Sequence, residues 1–398
     1  MSGRMEKVLR LMAERQASDV FLSAHMPILI KIHGDMKQLS DQVLTAAQPR
    51  QLLAELLSPL QLEELDETSE LNVAIAVERV GAFRLSAFKQ RGTVAAVFRY
   101  VPSKIPSLES LNVPGHLGSL VAGKRGLILL VGATGSGKST TLAAMLETRN
   151  VSQSGHILTI EEPIEFMFQS KMSVVNQREI GRDTESLQIA LRNALRQSPD
   201  CIMIGEIRDR ETMSAALGYA LSGHLVLATL HANNSYHALG RILSFYTPET
   251  RSLLLSDLAA GLRAIVSQRL LRRLKASEGR IPAVEVLLNT NLVAELIEKG
   301  DFGAVKEALE KSLVEGSQTF EEDLARLVLS GIVSRDEAML NADSATNLLW
   351  RLQNEVAPTV RTPPKKEDVD TVHYTDFVID IVPDAQPTRA ASFPPLTH

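Results

Sequence analysis

Residues 132–139 read Gly132-Ala133-Thr134-Gly135-Ser136-Gly137-Lys138-Ser139, the pattern G-x-x-x-x-G-K-[ST] in full. The apolar run Leu127–Val131 precedes it, and helix-forming sequence from Thr140 to Glu147 follows. A strand, a glycine loop and a helix in that order restrict the chain to α/β architectures in which the loop sits at a strand's carboxyl end. The glycines let the backbone curl until several N–H groups face one anion. The helix N-terminus, beginning at Thr140, adds positive potential there. Lys138 can reach the β- and γ-phosphates of a nucleoside triphosphate, and the Ser139 hydroxyl can ligate Mg²⁺. Residues 132–140 are therefore the candidate nucleotide-binding residues, with ATP and Mg²⁺ as the ligands the pattern calls for.

The sequence around the loop supports a parallel sheet covered on both faces. His156–Ile160, Cys201–Ile204 and Leu225–Leu230 are short apolar runs with helical sequence between them, as buried parallel strands require. With 398 residues, two or three domains are expected. Residues 1–100 read as a small α+β domain. It has a helix near Met5–Arg15, extended stretches at Val20–Leu22 and Ile28–His33, helical sequence over Gln48–Leu65 broken at Pro59, and strands at Leu71–Glu78, Ala82–Gln90 and Thr93–Tyr100. Residues 101–118, with three prolines, read as a linker. The nucleotide domain then occupies 119–290 and a helical region 291–354. From Glu355 to His398 the chain carries seven of its 17 prolines, four basic and seven acidic residues. Such a stretch buries too little apolar surface to offset its ordering entropy, and a disordered tail is expected. Its apolar patch Phe377–Val382 is the one segment suited to docking. The helix-opening Met5 is an alternative start to Met1.

Composition narrows the function. Lys+Arg total 42 against 47 Asp+Glu, a net charge of −5, so no basic footprint for nucleic acid exists. A single cysteine, Cys201, excludes an internal disulfide and a cysteine zinc site, and its place in an apolar strand reads as core. No apolar run approaches the roughly 20 residues of a membrane span. A cytoplasmic protein without direct membrane insertion is expected.

A triphosphatase needs carboxylates at neighbouring strand ends. Glu206 follows the strand Cys201–Ile204, with Arg208-Asp209 completing a polar cluster. It can hold the Mg²⁺ hydration shell or orient water. Glu161-Glu162-Pro163-Ile164-Glu165 follows the strand His156–Ile160, where a carboxylate can accept a proton from attacking water. His224 and His231 bracket the strand Leu225–Leu230. Taken alone, they fit equally as hydrogen-bonded polar residues at the ends of a buried strand. Arg263, Arg269, Arg272 and Arg273 form a basic run near a helix, suited to a solvated face or a subunit contact.

The phosphate loop, EEPIEF, Val175-Asn176-Gln177-Arg178-Glu179, GEIRD and SGHLVLATLHANN follow one another in this order. Together they resemble the hexameric secretion and pilus motor ATPases, and among these the PilT/PilU twitching-motility ATPases. The likeness runs from about Met5 to Leu352. The carboxyl extension and Gly316–Phe320 look more like PilU than PilT. The resemblance implies a PAS-like first domain, a RecA-like ATPase domain, and ATP hydrolysis that drives pilus retraction. It also implies a homohexamer, a PilT-like partner ATPase, and a pilus platform protein at the inner membrane. By motif, Gly132–Ser139 looks like the Walker A loop and Glu206 like the Walker B acid. Glu165 is the implied catalytic base, and His224 and His231 match the His box near the nucleotide. Arg84 and Arg99 are the implied arginines of the first domain that approach the nucleotide. The usual E-D-P reads Glu161-Glu162-Pro163 here, one methylene longer at Glu162. The A-I-R-N-L-I segment reads Thr290–Ile297 and has lost its arginine.

Two functions fit. One is an ATP-driven retraction motor. The other is an accessory nucleotide-binding subunit with little hydrolysis of its own that joins a PilT-like ring. Assembly or secretion ATPases fit less well, since such relatives often carry a four-cysteine zinc module. A recombinase fits less well still, for want of a basic surface.

Overall fold

The computed structural model describes residues 3–354 apart from 16, 33–34, 78–79, 102–104, 276–278 and 313. The expected tail, with its Phe377–Val382 patch, lies outside the described residues.

The first module runs α1 (Arg4–Glu14), β1 (Asp19–Leu22), β2 (Pro27–Ile32), β3 (Asp35–Val43), α2 (Gln48–Leu53), α3 (Pro59–Thr68), β4 (Glu70–Val77), β5 (Gly81–Gln90) and β6 (Thr93–Val101). Its strands form one sheet in the order β3-β2-β1-β6-β5-β4, antiparallel at every pairing. Met5, Leu9 and Met12 recur at helical spacing on α1 and are fully buried against Val20, Leu22, Phe83, Leu85 and Phe98. Ser58 starts α3 with a capping box to Gln61. Arg91 and Gly92, at φ of 46° and 76°, make the two-residue turn between β5 and β6 that matches strand twist. The sequence analysis did not foresee β3. Its sequence DMKQLSDQV is almost wholly exposed, and a polar edge strand lacks the apolar alternation by which strands are recognised.

The second module begins with a connection that is packed rather than loose. Leu108 and Val113 are buried in the core beneath α4 (Leu117–Val121). There follow β7 (Gly126–Val131), α5 (Lys138–Ser152), β8 (Gly155–Glu161), β9 (Ser173–Glu179), α6 (Leu187–Ala194), β10 (Cys201–Ile204), α7 (Arg210–Leu221), β11 (Leu225–Leu230), α8 (Ser235–Ser244), α9 (Arg251–Gly261), β12 (Leu262–Arg272) and β13 (Arg280–Leu288). The sheet order is β13-β12-β7-β11-β10-β8-β9. All pairs are parallel except β12 with β13, so the expected parallel sheet carries one antiparallel edge. Apolar cores cover both faces. Cys201 is fully buried, and burial pushes its thiol up to about 12, as a core residue requires. Arg263, Arg269 and Arg272 lie on β12, the strand that directly follows α9.

The helical region divides in two. α10 (Asn291–Lys299) and α11 (Phe302–Glu310) add Val293, Ile297, Val305 and Leu309 to the main core. α12 (Phe320–Leu329), α13 (Arg335–Asn341) and α14 (Ala345–Asn354) build a separate core on Leu271, Ile281 and Ala283 of the β12–β13 pair. No helix of the described residues is long and apolar enough to cross a membrane.

Phe98, fully buried in the first module, gives a stability test. Phe98→Ala is expected to cost about 3–5 kcal/mol, read as a clear loss in thermal or urea unfolding. Leu340→Ala, at a side chain 82% exposed, is expected to change stability by less than about 0.5 kcal/mol.

Candidate functional site

The strand ends of the second sheet meet at one cavity of about 430 Å³. It is lined among others by Thr134, Gly135, Lys138, Ser139, Glu161, Glu162, Glu165, Glu206, Arg208, Thr229 and His231. The parallel registers bring them there. Leu225 pairs with both Gly126 and Cys201, and Cys201 with Ile157. β7, β11, β10 and β8 therefore pair from one level, and their carboxyl ends fall within two residues of one another.

The loop's shape is set by glycine. Gly132 has φ of 155° and Gly137 φ of 88°. A Cβ on Gly132 would stand 2.5 Å from the Gln268 carbonyl, and one on Gly137 2.7 Å from Gln268 Nε2. Gln268 of β12 holds the loop directly. Its Nε2 donates to Ser136 O at 2.8 Å, and its Oε1 accepts from the Thr141 hydroxyl at 2.7 Å. Lys138 Nζ donates to the carbonyls of Gly132 and Ala133 at 2.8 and 2.9 Å. Burial lowers the pKa of this ammonium, opposed by Glu206 and Glu165. The buried Ser136 hydroxyl has no hydrogen-bond partner among the described residues. An anion in the loop would answer both groups.

The carboxylates differ in setting. Glu206 is held at both oxygens: Oε2 accepts from Arg208 Nε at 2.8 Å, and Oε1 lies 3.0 Å from His231 Nε2. Arg208 Nη1 also donates to Glu162 at 2.9 Å. The hydrogen bond to Glu206, ahead of burial, raises the Arg208 pKa. Glu161 is buried and accepts from Thr159 Oγ1 at 2.7 Å and Gln177 Nε2 at 3.0 Å. Burial outweighs these bonds and holds its carboxyl above the ordinary range. Glu165 is exposed in the same cavity, near enough to Lys138 and Arg84 to act on both charges. Among the described residues no group of three His, Cys, Asp or Glu could hold a metal alone. Ser139 and Glu206 both line the cavity.

Several expected residues lie elsewhere. His224 precedes β11, and its ring faces Ser222 and the Tyr219 carbonyl. The six-residue strand separates it from His231 by roughly 20 Å, as the bracketing of that strand implied, so it does not reach the loop. Thr140 lies on α5 outside the residues lining the cavity. Arg84 and Arg99 are opposite each other on β5 and β6 and line a different cleft of about 720 Å³. Arg84 Nη2 stands 3.8 Å from Glu179 Oε2, and Arg99 Nε donates to Asp19 at 2.9 Å. Burial lowers the Arg84 pKa, opposed by Glu179, Glu165 and Glu161. The two clefts share Pro163 and Ile180, so the arginines border the site without touching the loop. Asp209 does line the cavity beside Glu206 and Arg208, as expected, and it also caps α7 by accepting from Thr212 N at 2.8 Å. The sequence analysis missed Gln268. The polar run Ser267-Gln268-Arg269 between apolar residues of β12 was the available signal.

A family model described as type II/IV secretion system protein matches residues 4–340. The type IV pilus ATPase PilU of Pseudomonas aeruginosa is 44% identical over 343 residues, covering 86% of this chain and 90% of that protein. The type IV pilus retraction ATPase PilT of the same organism is 37% identical over 341 residues, covering 86% and 98%. A crystal structure of the pilus retraction motor PilT with bound ADP superposes with a TM-score of 0.79 at 36% identity, covering 85% of this chain and 97% of that one.

Two substitutions probe the site. Gln268→Ala strands the Ser136 carbonyl and the Thr141 hydroxyl, a cost of about 1–3 kcal/mol; ATP or ADP affinity is expected to fall about tenfold by fluorescent-nucleotide titration. Glu161→Gln tests the buried carboxyl. With its folded pKa raised, the wild-type stability is full below the unfolded value and falls as pH rises through the folded one. The variant is expected to match wild type near pH 4 and to melt higher at pH 8.

Proposed function

The chain belongs to the type II/IV secretion system protein family, and from that premise we propose that it is an ATP-hydrolysing type IV pilus motor. The observation that carries the reading is the convergence of the phosphate loop, Glu206, Glu165 and His231 on one cavity. The loop N–H groups, the α5 N-terminus and Lys138 hold the triphosphate. Bound Mg²⁺ would neutralise charge on the phosphate oxygens, with Ser139 and Glu206 as its protein contacts. Glu165 or Glu206 orients water toward the terminal phosphate and takes its proton. His231, against Glu206, keeps that carboxylate aimed at the loop.

The finer reading is retraction of the pilus by a cytoplasmic homohexamer, peripheral at the inner membrane, acting with a PilT-like ATPase on a platform protein. Arg84 and Arg99 then complete a nucleotide site by closure of the first module or across a subunit boundary.

One observation favours the accessory reading. Both oxygens of Glu206 are held within the protein, by Arg208 and His231, so turnover requires that at least one bond yields.

Steady-state Mg²⁺-ATPase activity with particle mass tests both. A ring with robust turnover, reduced on the order of 10²–10³-fold by Lys138→Ala and by Glu206→Ala, is expected of the motor. Wild-type protein that binds ATP and turns over only beside a PilT-like ATPase identifies the accessory subunit. Robust hydrolysis that Lys138→Ala leaves unchanged would end both readings.

A further inference from the structure

The loop from His231 to Asn234 joins β11 to α8 and carries the one histidine that meets Glu206. At its near end Leu230 is fixed in the sheet opposite Val131. Its far end is held by residues distant in sequence. Asn234 is buried; its Oδ1 caps α8 by accepting from His237 N at 3.0 Å, and its Nδ2 donates to Asp343 Oδ2 at 2.7 Å. The Asn233 carbonyl accepts from Arg269 Nη2 at 3.1 Å. The same nitrogen donates to Asp343 Oδ1 at 2.5 Å. Arg269 also donates to the Asn341 carbonyl, and its guanidinium lies over the Phe320 ring at 3.9 Å. Asp343 itself sits between α13 and α14. The next residue is anchored too, Ser344 N donating to Glu321 Oε1 at 2.8 Å.

We propose that Asp343 is a positioning residue for His231: it links the α12–α14 helices to the His231 loop, directly through Asn234 and again through Arg269. Asp343 touches no group of the phosphate site. Its carboxylate fixes two consecutive residues of the loop, leaving His231 and Ala232 as the span between that anchor and the sheet. A carboxylate suits the place because it accepts from an amide and a guanidinium at once, and charge-assisted bonds of this kind are directional. An asparagine keeps the size but gives up the charge and one acceptor. The His231 imidazole then loses its fixed distance to Glu206, and small displacements of a catalytic group are costly in rate.

The inference rests on the ATPase reading above, and the experiment separates the two. Full-length wild type, Asp343→Asn, His231→Ala and the double variant are compared for kcat, KM for Mg²⁺-ATP, melting temperature and amide exchange over residues 231–234. Asp343→Asn is expected to lower kcat about tenfold with KM within about twofold, melting little changed, and exchange faster at 231–234. In the His231→Ala background the same substitution is expected to add nothing further, because both act through one imidazole. Unchanged kcat, or a tenfold loss that persists without His231, overturns the proposal. Should Asp343→Asn fold poorly, Arg269→Lys removes the fork while keeping charge, and the same non-additivity is required of it. If the wild type binds nucleotide but does not hydrolyse it, the ATPase reading fails. The link then stands or falls on amide exchange alone, and unchanged exchange at 231–234 in Asp343→Asn refutes it.

Discussion

In-register pairing of β7, β11, β10 and β8 carries Val131, Leu230, Ile204 and Glu161 to one edge of the sheet, and every group of the phosphate site hangs from that edge. The strands are buried on both faces, so their side chains hold them in place from above and below. A slip of one residue would turn each strand's two faces over and bring core residues to the edge. Gly132, Glu162, Glu206 and His231 meet because four apolar runs start level and stop within two residues of one another. The loop residues supply the chemistry. The apolar runs, which carry none, supply its geometry.

β12 extends this control beyond the loops that grow from the sheet. Neighbouring residues on a strand face opposite sides. Gln268 turns to the phosphate loop and grips Ser136 and Thr141. Arg269 turns away, to Asn233 and Asp343. Ser267 bonds Glu285, which in turn accepts from Ser235 N at the start of α8. Burial outweighs both bonds and keeps Glu285 above the ordinary carboxyl range. Three successive residues of one strand thus fix the phosphate loop, the helix after His231 and the chain before it. Each bond adds about 1 kcal/mol net, but leaving its buried partner unpaired costs more, so the cluster acts as a unit.

The sequence made the phosphate loop, the strands ending at Ile204 and Leu230, and the first module's three-strand run legible, since glycine patterns and apolar runs are local signals. β3 and β9 escaped because edge strands with polar sequences carry little periodicity. β12 and β13 escaped because a run containing Arg263, Ser267, Gln268, Arg269 and Arg272 does not read as a buried strand until Gln268, Ser267 and Arg269 are seen with their partners. The two histidines were legible as the two ends of one strand, and six extended residues do set them apart; the sequence did not show that the His231 end is the one that meets Glu206. Asp343 lay further from reach. Its partners are 74 and 109 residues away, and no local pattern encodes them.

The same physics explains how such a site can be stable without an anion and ready for one. Lys138 bonds the Gly132 and Ala133 carbonyls, Arg208 bridges Glu162 and Glu206, and His231 meets the remaining oxygen of Glu206. Each of these charged groups has a protein partner, so none of them bears the full cost of desolvation. Exchanging one such bond for another is nearly neutral in hydrogen-bond energy. What tips the exchange is charge. Neutral carbonyls stabilise the Lys138 ammonium poorly, and burial has already lowered its pKa; a phosphate oxygen supplies the negative charge that they lack. On the carboxylate side the balance differs, because Arg208 already gives Glu206 an opposite charge. The phosphate loop is thus biased toward its ligand, while the acid is biased toward staying paired. Release of Glu206 from Arg208 is the step that a change in protein shape can control.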